Sequence, residues 1–112
     1  MTDMKTHILN LEDFRTPGSK VFTGRDRGVE VRKKSRLDAL AKECDLIRIL
    51  IPKDIRSINP SFLEELLFNV VTELKEDKFK AKFHFESTGR YQIDNDLSEA
   101  IERILRVENA LA

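Results

Sequence analysis

Residues 45–74, DLIRILIPKDIRSINPSFLEELLFNVVTEL, decide the fold. Leu46 to Ile51 is apolar at every position but Arg48, a pattern expected of a strand covered on both faces in the middle of an α/β sheet. A polar loop follows, and then a helix opening at Asn59-Pro60-Ser61. Two start signals compete there. Asn59 as the cap puts Pro60 at the first helical position, which proline favours. Ser61 as the cap makes a Ser-x-x-Glu capping box with Glu64. The first is preferred because Pro60 then fits without strain. From about Pro60 to Glu76, the side chains Phe62, Leu63, Leu66, Leu67, Phe68, Val70, Val71 and Leu74 cover more than half the circumference, so this helix is expected to be largely buried. Arg48 inside the strand needs a strand end, an acidic partner or a partly open face.

Working outward, Thr6 to Leu11 predicts a first strand, and Thr16-Pro17-Gly18 a turn. Ser19 to Thr23 is expected to return as a second strand, making a hairpin-like N-terminal unit over 6–23. Val29, Leu37, Leu40, Ala41 and Cys44 define the apolar stripe of one helix over about Asp26 to Glu43. Its first half holds Arg25, Arg27, Arg32, Lys33, Lys34 and Arg36 against Asp26 and Glu30. Such a run is ordinarily a solvated helix face. Cations near a helix start oppose the macrodipole, however, which favours a contact role with an acidic surface or a phosphate.

Beyond the central helix, Phe79, Ala81, Phe83 and Phe85 alternate with Lys80, Lys82, His84 and Glu86, predicting an edge strand with one wet face. His84 falls on that wet face. Ser87-Thr88-Gly89-Arg90 reads as a turn. A last helix runs through Leu97, Ala100, Ile101, Ile104 and Leu105, with Asp96 and Glu99 as its capping box and residues 108–112 as a fraying tail. The order of elements predicts an α/β fold: a small mixed sheet of about four strands with helices mainly on one face. The chain of 112 residues suits one domain with its core over 26–106.

Charged residues make up 36% and apolar residues 40%, a globular balance, and no apolar run nears the about 18 residues of a membrane span. The start, MTDMKTHILNLEDF, lacks a signal-peptide core, and a cytoplasmic location is expected. Cys44 is the sole cysteine and is expected to be a small buried hydrophobe. His7, His84 and Cys44 have no metal spacing. Net charge is zero, with 13 Lys+Arg against 9 Asp+Glu in residues 1–56 and 7 against 11 in residues 57–112. That modest dipole does not argue for nucleic acid. Phosphate-loop, nucleophile-elbow and zinc-helix motifs are all missing from the sequence, so neither a catalytic residue nor a cofactor is expected. Ser61 remains, a hydroxyl at the positive end of a buried helix. It is either a first-turn residue or a phosphoacceptor.

Pro17-Gly18, then Gly24 and Gly28 with Val31-Arg32 opening a helix, the apolar strand, Ser61-Phe62-Leu63-Glu64-Glu65 and finally Phe79 to Phe85 together resemble the STAS-like domain family. These are relatives of the sulfate-transporter and anti-sigma-factor-antagonist domains, and the resemblance spans roughly residues 14–86. It implies a β-α superhelix and a bacterial binding or switch module rather than an enzyme. In the antagonists, a serine or threonine opening the helix after the central strand is phosphorylated by a partner kinase of the GHKL ATPase type. That position is similar to Ser61, with Asn59 where those proteins carry aspartate. Their Asp-Ser/Thr-x-Gly pattern is replaced here by Asn59-Pro60-Ser61-Phe62.

The leading expectation is a regulatory module that docks a protein partner through Lys53, Asp54, Arg56, Ser57, Asn59 and Phe62, with Ser61 as the phosphoacceptor. The alternative is nucleic-acid or phospholigand binding through the basic helix 25–36. A small enzyme or nucleotide-binding domain ranks third.

Overall fold

A computed structural model describes residues 4–111 of the chain. Two parallel pairings organise it. Strand β1 (Thr6–Asn10) and strand β5 (Phe83–Ser87) flank strand β3 (Leu46–Ile51), in the order β1-β3-β5. His7 lies opposite Ile47 and Leu9 opposite Ile49 on one side, and Ile47 lies opposite Phe83 and Ile49 opposite Phe85 on the other. The apolar run at 46–51 therefore does form the central strand. Ile47, Ile49 and Ile51 are buried, whereas Leu46, Arg48 and Leu50 are only half-buried. With parallel strands in the order β1-β3-β5, crossovers of one hand place their helices on one face, and burial marks it as the face of those three isoleucines. The opposite face stays partly open: Ile8 is 49% exposed. Arg48 resolves its position there by donating Nε and Nη2 to the Glu86 carboxylate, at 2.5 and 2.7 Å. That hydrogen-bonded pair lifts Arg48 above the usual guanidinium range and holds Glu86 below the usual carboxylate range.

The expected four-stranded mixed sheet and N-terminal hairpin are not what forms. Strand β2 (Val21–Phe22) pairs in parallel with β4 (Ser57–Ile58), giving a second, two-stranded sheet. A 3-10 turn at Leu11–Phe14 and a Thr16–Ser19 turn, closed by a 2.9 Å backbone hydrogen bond, carry the chain away from β1. Backbone bonds from Arg56 N–H to the Lys20 carbonyl and from Asn59 N–H to the Phe22 carbonyl (both 2.8 Å) then fasten it to the 53–59 loop.

The expected helix over 26–43 is two helices, α1 (Arg25–Ser35) and α2 (Leu37–Glu43). Arg36 between them takes left-handed backbone angles (φ 56°, ψ 36°), and its N–H caps α1 on the Arg32 and Lys33 carbonyls. The break rotates the second half, so fully buried Val31 joins the core although it lies off the stripe of Val29, Leu37 and Ala41. Cys44 is a buried free cysteine, as its sequence context implied.

Helix α3 (Pro60–Lys82) is the centre of the helical layer, with α1 on one flank and α4 (Asp94–Leu111) on the other. Its core residues Phe62, Leu63, Leu66, Leu67 and Val71 have no exposed surface. The helix is interrupted at Lys75 (φ 65°, ψ 175°), within one residue of its expected end, but a second helical segment follows and takes Phe79 and Ala81 out of the expected strand. Phe79 and Phe83 lie four residues apart and stack at 4.7 Å, so helical spacing buries both as well as alternation would. Glu76, Lys78 and Lys80 are good helix formers, and a Lys80–Glu76 pair (2.8 Å) supports that turn. The strand begins only at Phe83, with His84 exposed on it.

Helix α4 begins at Asp94, two residues before the expected cap, and continues to Leu111. Asp96 lies inside the first turn and accepts a hydrogen bond from the Tyr91 hydroxyl (2.6 Å) instead of capping. The expected fraying tail is helical as far as Leu111, and Lys75 pairs with Glu108. Ala112 lies outside the described residues, as does the stretch Met1–Asp3 used in the leader reading. Among the described residues, no helix is long and apolar enough to cross a membrane.

Candidate functional site

The helix start at residue 59 follows the preferred sequence reading. The Asn59 side-chain oxygen accepts from the Ser61 N–H at 2.8 Å and Pro60 takes the first helical position, a cap that contributes about 1 kcal/mol. Ser61 is therefore a half-buried first-turn residue rather than the cap, and its hydroxyl makes no hydrogen bond among the described residues. One turn on, Arg25 lies between two carboxylates, 3.3 Å from Glu64 and 3.5 Å from Glu65. Glu64, itself 6% exposed, also faces Arg103 at 3.9 Å. This cluster ties α1, α3 and α4 together just below Ser61.

Of the expected partner contacts, Lys53, Asp54, Arg56, Ser57 and Asn59 are exposed along one loop. Phe62 is not: it has no exposed surface and packs on Phe22 with ring centroids 5.2 Å apart. An aromatic residue on the buried side of a first turn anchors the helix to the β2–β4 pair and is unavailable to a partner. Asp54 is held by Arg15 at 2.9 Å, and Arg15 also grips Glu12 at 2.6 Å. Those hydrogen bonds hold both carboxyls below their ordinary range and raise the guanidinium. Lys53 and Arg56 make no side-chain hydrogen bond or ion pair among the described residues.

The basic helix is less available than its composition implied. Besides Arg25, Arg27 bonds Glu30 and the Phe14 carbonyl, Lys34 pairs with Glu30 at 3.2 Å, and Arg32 donates to the Glu65 carbonyl at 2.6 Å. Glu30 is held below the usual carboxylate range, first by Lys34 and then by Arg27. Only Lys33 and Arg36 of the six lack a side-chain partner among the described residues.

The structure adds a feature that sequence reasoning missed. Residues 53–56 follow β3 and residues 88–92 follow β5, and these strands are neighbours with Ile51 opposite Ser87. Their carboxyl ends therefore bring the two loops together. Between them lies an open groove of about 1080 Å³, lined by Lys53, Arg56, Thr88, Arg90, Tyr91 and Gln92 among others. Loops that leave a rigid sheet at one end are common positions for binding residues. Tyr91 is half-buried. Burial raises its hydroxyl above the ordinary range, the hydrogen bond to Asp96 adds to this, and the Ile58 carbonyl lies 3.2 Å away. Arg90, on the rim, is exposed and makes no ion pair among the described residues. The signal that would have found this groove is topological: loops after adjacent parallel strands share one end of the sheet.

Gly89 holds the groove in shape. A Cβ built there overlaps the Lys53 carbonyl oxygen and comes within 2.9 Å of its carbon. Gly89→Ala is thus expected to push the two loops apart and to cost about 1–3 kcal/mol, read as a lower melting temperature. An unchanged melting curve would show that the loops separate freely.

Among the described residues, no group of three or more His, Cys, Asp or Glu side chains is placed to hold a metal ion. The chain matches no protein-family model, no curated protein and no solved structure.

Proposed function

We propose that this chain is a non-enzymatic regulatory module, built on a STAS-like β-α superhelix, that docks a protein partner through the 53–59 loop and the start of α3. The observation that carries this reading is the presentation of Lys53, Arg56 and Ser57 along one exposed loop beside Ser61. Loops held by a rigid scaffold are where such domains place their contacts. The resemblance supplies the class of partner, a GHKL-type ATPase or kinase, and the regulatory step, phosphorylation of Ser61. A phosphate there would lie at the amino end of a long helix, where backbone N–H groups and the dipole favour it. It would change the docking surface by nearly two charges. Phe62, buried against Phe22, acts as the scaffold of this surface rather than as a contact. The alternative, nucleic-acid or phospholigand binding through the basic helix, loses support because Arg25, Arg27, Arg32 and Lys34 are already engaged.

Ser61→Asp tests the switch. An acid suits a helix start, so its melting curve is expected to match wild type while the captured partner is lost. The measurement is affinity capture from the native host with wild type and variant in parallel, with intact mass and phosphosite mapping of the recovered chain. A partner retained equally by both proteins, with Ser61 unmodified, sinks the switch.

A further inference from the structure

We propose that the groove between residues 53–56 and 88–92 is a binding site for a small phosphate-bearing molecule, recognised by Lys53, Arg56 and Arg90. Three cations line this depression, and among the described residues none has a side-chain partner. The acid on its wall, Asp54, is neutralised by Arg15 at 2.9 Å. Unspent positive charge is therefore concentrated here, whereas most of the basic helix is already paired. Two planar guanidinium forks and one ammonium suit the dianion of a phosphate monoester better than the single charge of a carboxylate.

Size and position agree with this chemistry. The volume of about 1080 Å³ lies just above the about 300–1,000 Å³ of typical small-molecule sites, enough for a nucleotide-sized ligand. The groove is formed by the loops at the carboxyl ends of two adjacent parallel strands, held in place by the sheet. Gly89, packed on the Lys53 carbonyl, lets the two loops that line the groove meet backbone to backbone. The half-buried Tyr91 ring, held by its hydroxyl on Asp96, offers an apolar wall for the organic part of the ligand. The site does not depend on phosphorylation of Ser61 or on a protein partner, although it shares Lys53 and Arg56 with the docking loop.

The test is a titration of the isotopically labelled chain with AMP, with adenosine and inorganic phosphate in parallel, following backbone amide shifts. AMP is expected to move the amides of 53–56 and 88–92, and adenosine to leave them in place. A similar response to inorganic phosphate identifies the phosphate as the recognised group. Arg56→Ala and Arg90→Ala, both at exposed positions, are each expected to weaken AMP binding about tenfold with unchanged melting. No amide response to AMP or phosphate at about 10 mM, well above a ~1 mM dissociation constant, overturns the proposal. So does equal affinity in wild type and a variant that combines Arg56→Ala with Arg90→Ala. An acidic protein held through these same cations, without an AMP response, also overturns it and leaves the docking surface standing.

Discussion

Leu67→Asp is expected to abolish cooperative melting. Leu67 lies on α3, the helix that packs on both α1 and α4, and has no exposed surface, with Leu63, Leu66, Val70 and Val71 also buried on the same helix. The substitution removes an apolar side chain worth about 1.5–3 kcal/mol of burial. It also leaves a carboxylate without a partner in the buried core, at a further cost of several kcal/mol. A domain of this size has about 5–15 kcal/mol in total, so the variant is expected to populate unfolded or molten states at room temperature. Circular dichroism against temperature reads the outcome directly. A sigmoidal transition at the wild-type midpoint would mean that this face of α3 is not in the core.

Gly28→Val is expected to have the second largest effect, and it acts through backbone contact. Gly28 sits where α1 crosses the first turns of α3. A Cβ at this position overlaps the Phe62 carbonyl oxygen and reaches 3.0 Å from the Glu65 Cβ. Neither neighbour yields easily, because Phe62 is locked on Phe22 and Glu65 belongs to the helix backbone that Arg32 grips through its carbonyl. The two helices must separate, at about 3 kcal/mol, which lowers the melting temperature by roughly 12–20 °C. Gly28→Ala gains up to about 1 kcal/mol of helix propensity yet meets the same oxygen, so it is expected to lose stability by a smaller margin. A Gly28→Ala variant more stable than wild type would show that the helices have room. If the proposed docking surface is used, the valine variant should also weaken partner capture, because Ser61 lies in the first turn of the helix that α1 would push away.

How much was legible depends on whether a residue's environment is local. Strand Leu46–Ile51 and the Asn59-Pro60 helix start could be read directly because an apolar run and a cap are properties of adjacent residues. Phe79 could not be placed, since spacings of two and of four both bury it, and only its stack on Phe83 decides between them. The arginines of α1 looked like a free basic patch because their partners, Glu65 and the Phe14 carbonyl, are distant in sequence. Phe62 looked available for the same reason, with Phe22 forty residues away.

By itself, the sequence determined an alternating α/β chain, a central apolar strand, a buried helix after it and a serine in that helix's first turn. Each follows from short-range rules of burial period, capping and backbone freedom. Only the tertiary structure decided that the strands divide into two parallel sheets, that α1 spends most of its charge on neighbouring elements, and that Lys53, Arg56 and Arg90 share one groove. Those outcomes turn on which distant segments lie side by side. Parallel pairing joins strands separated by whole helices, so the loops at one end of the sheet meet without any trace in local pattern.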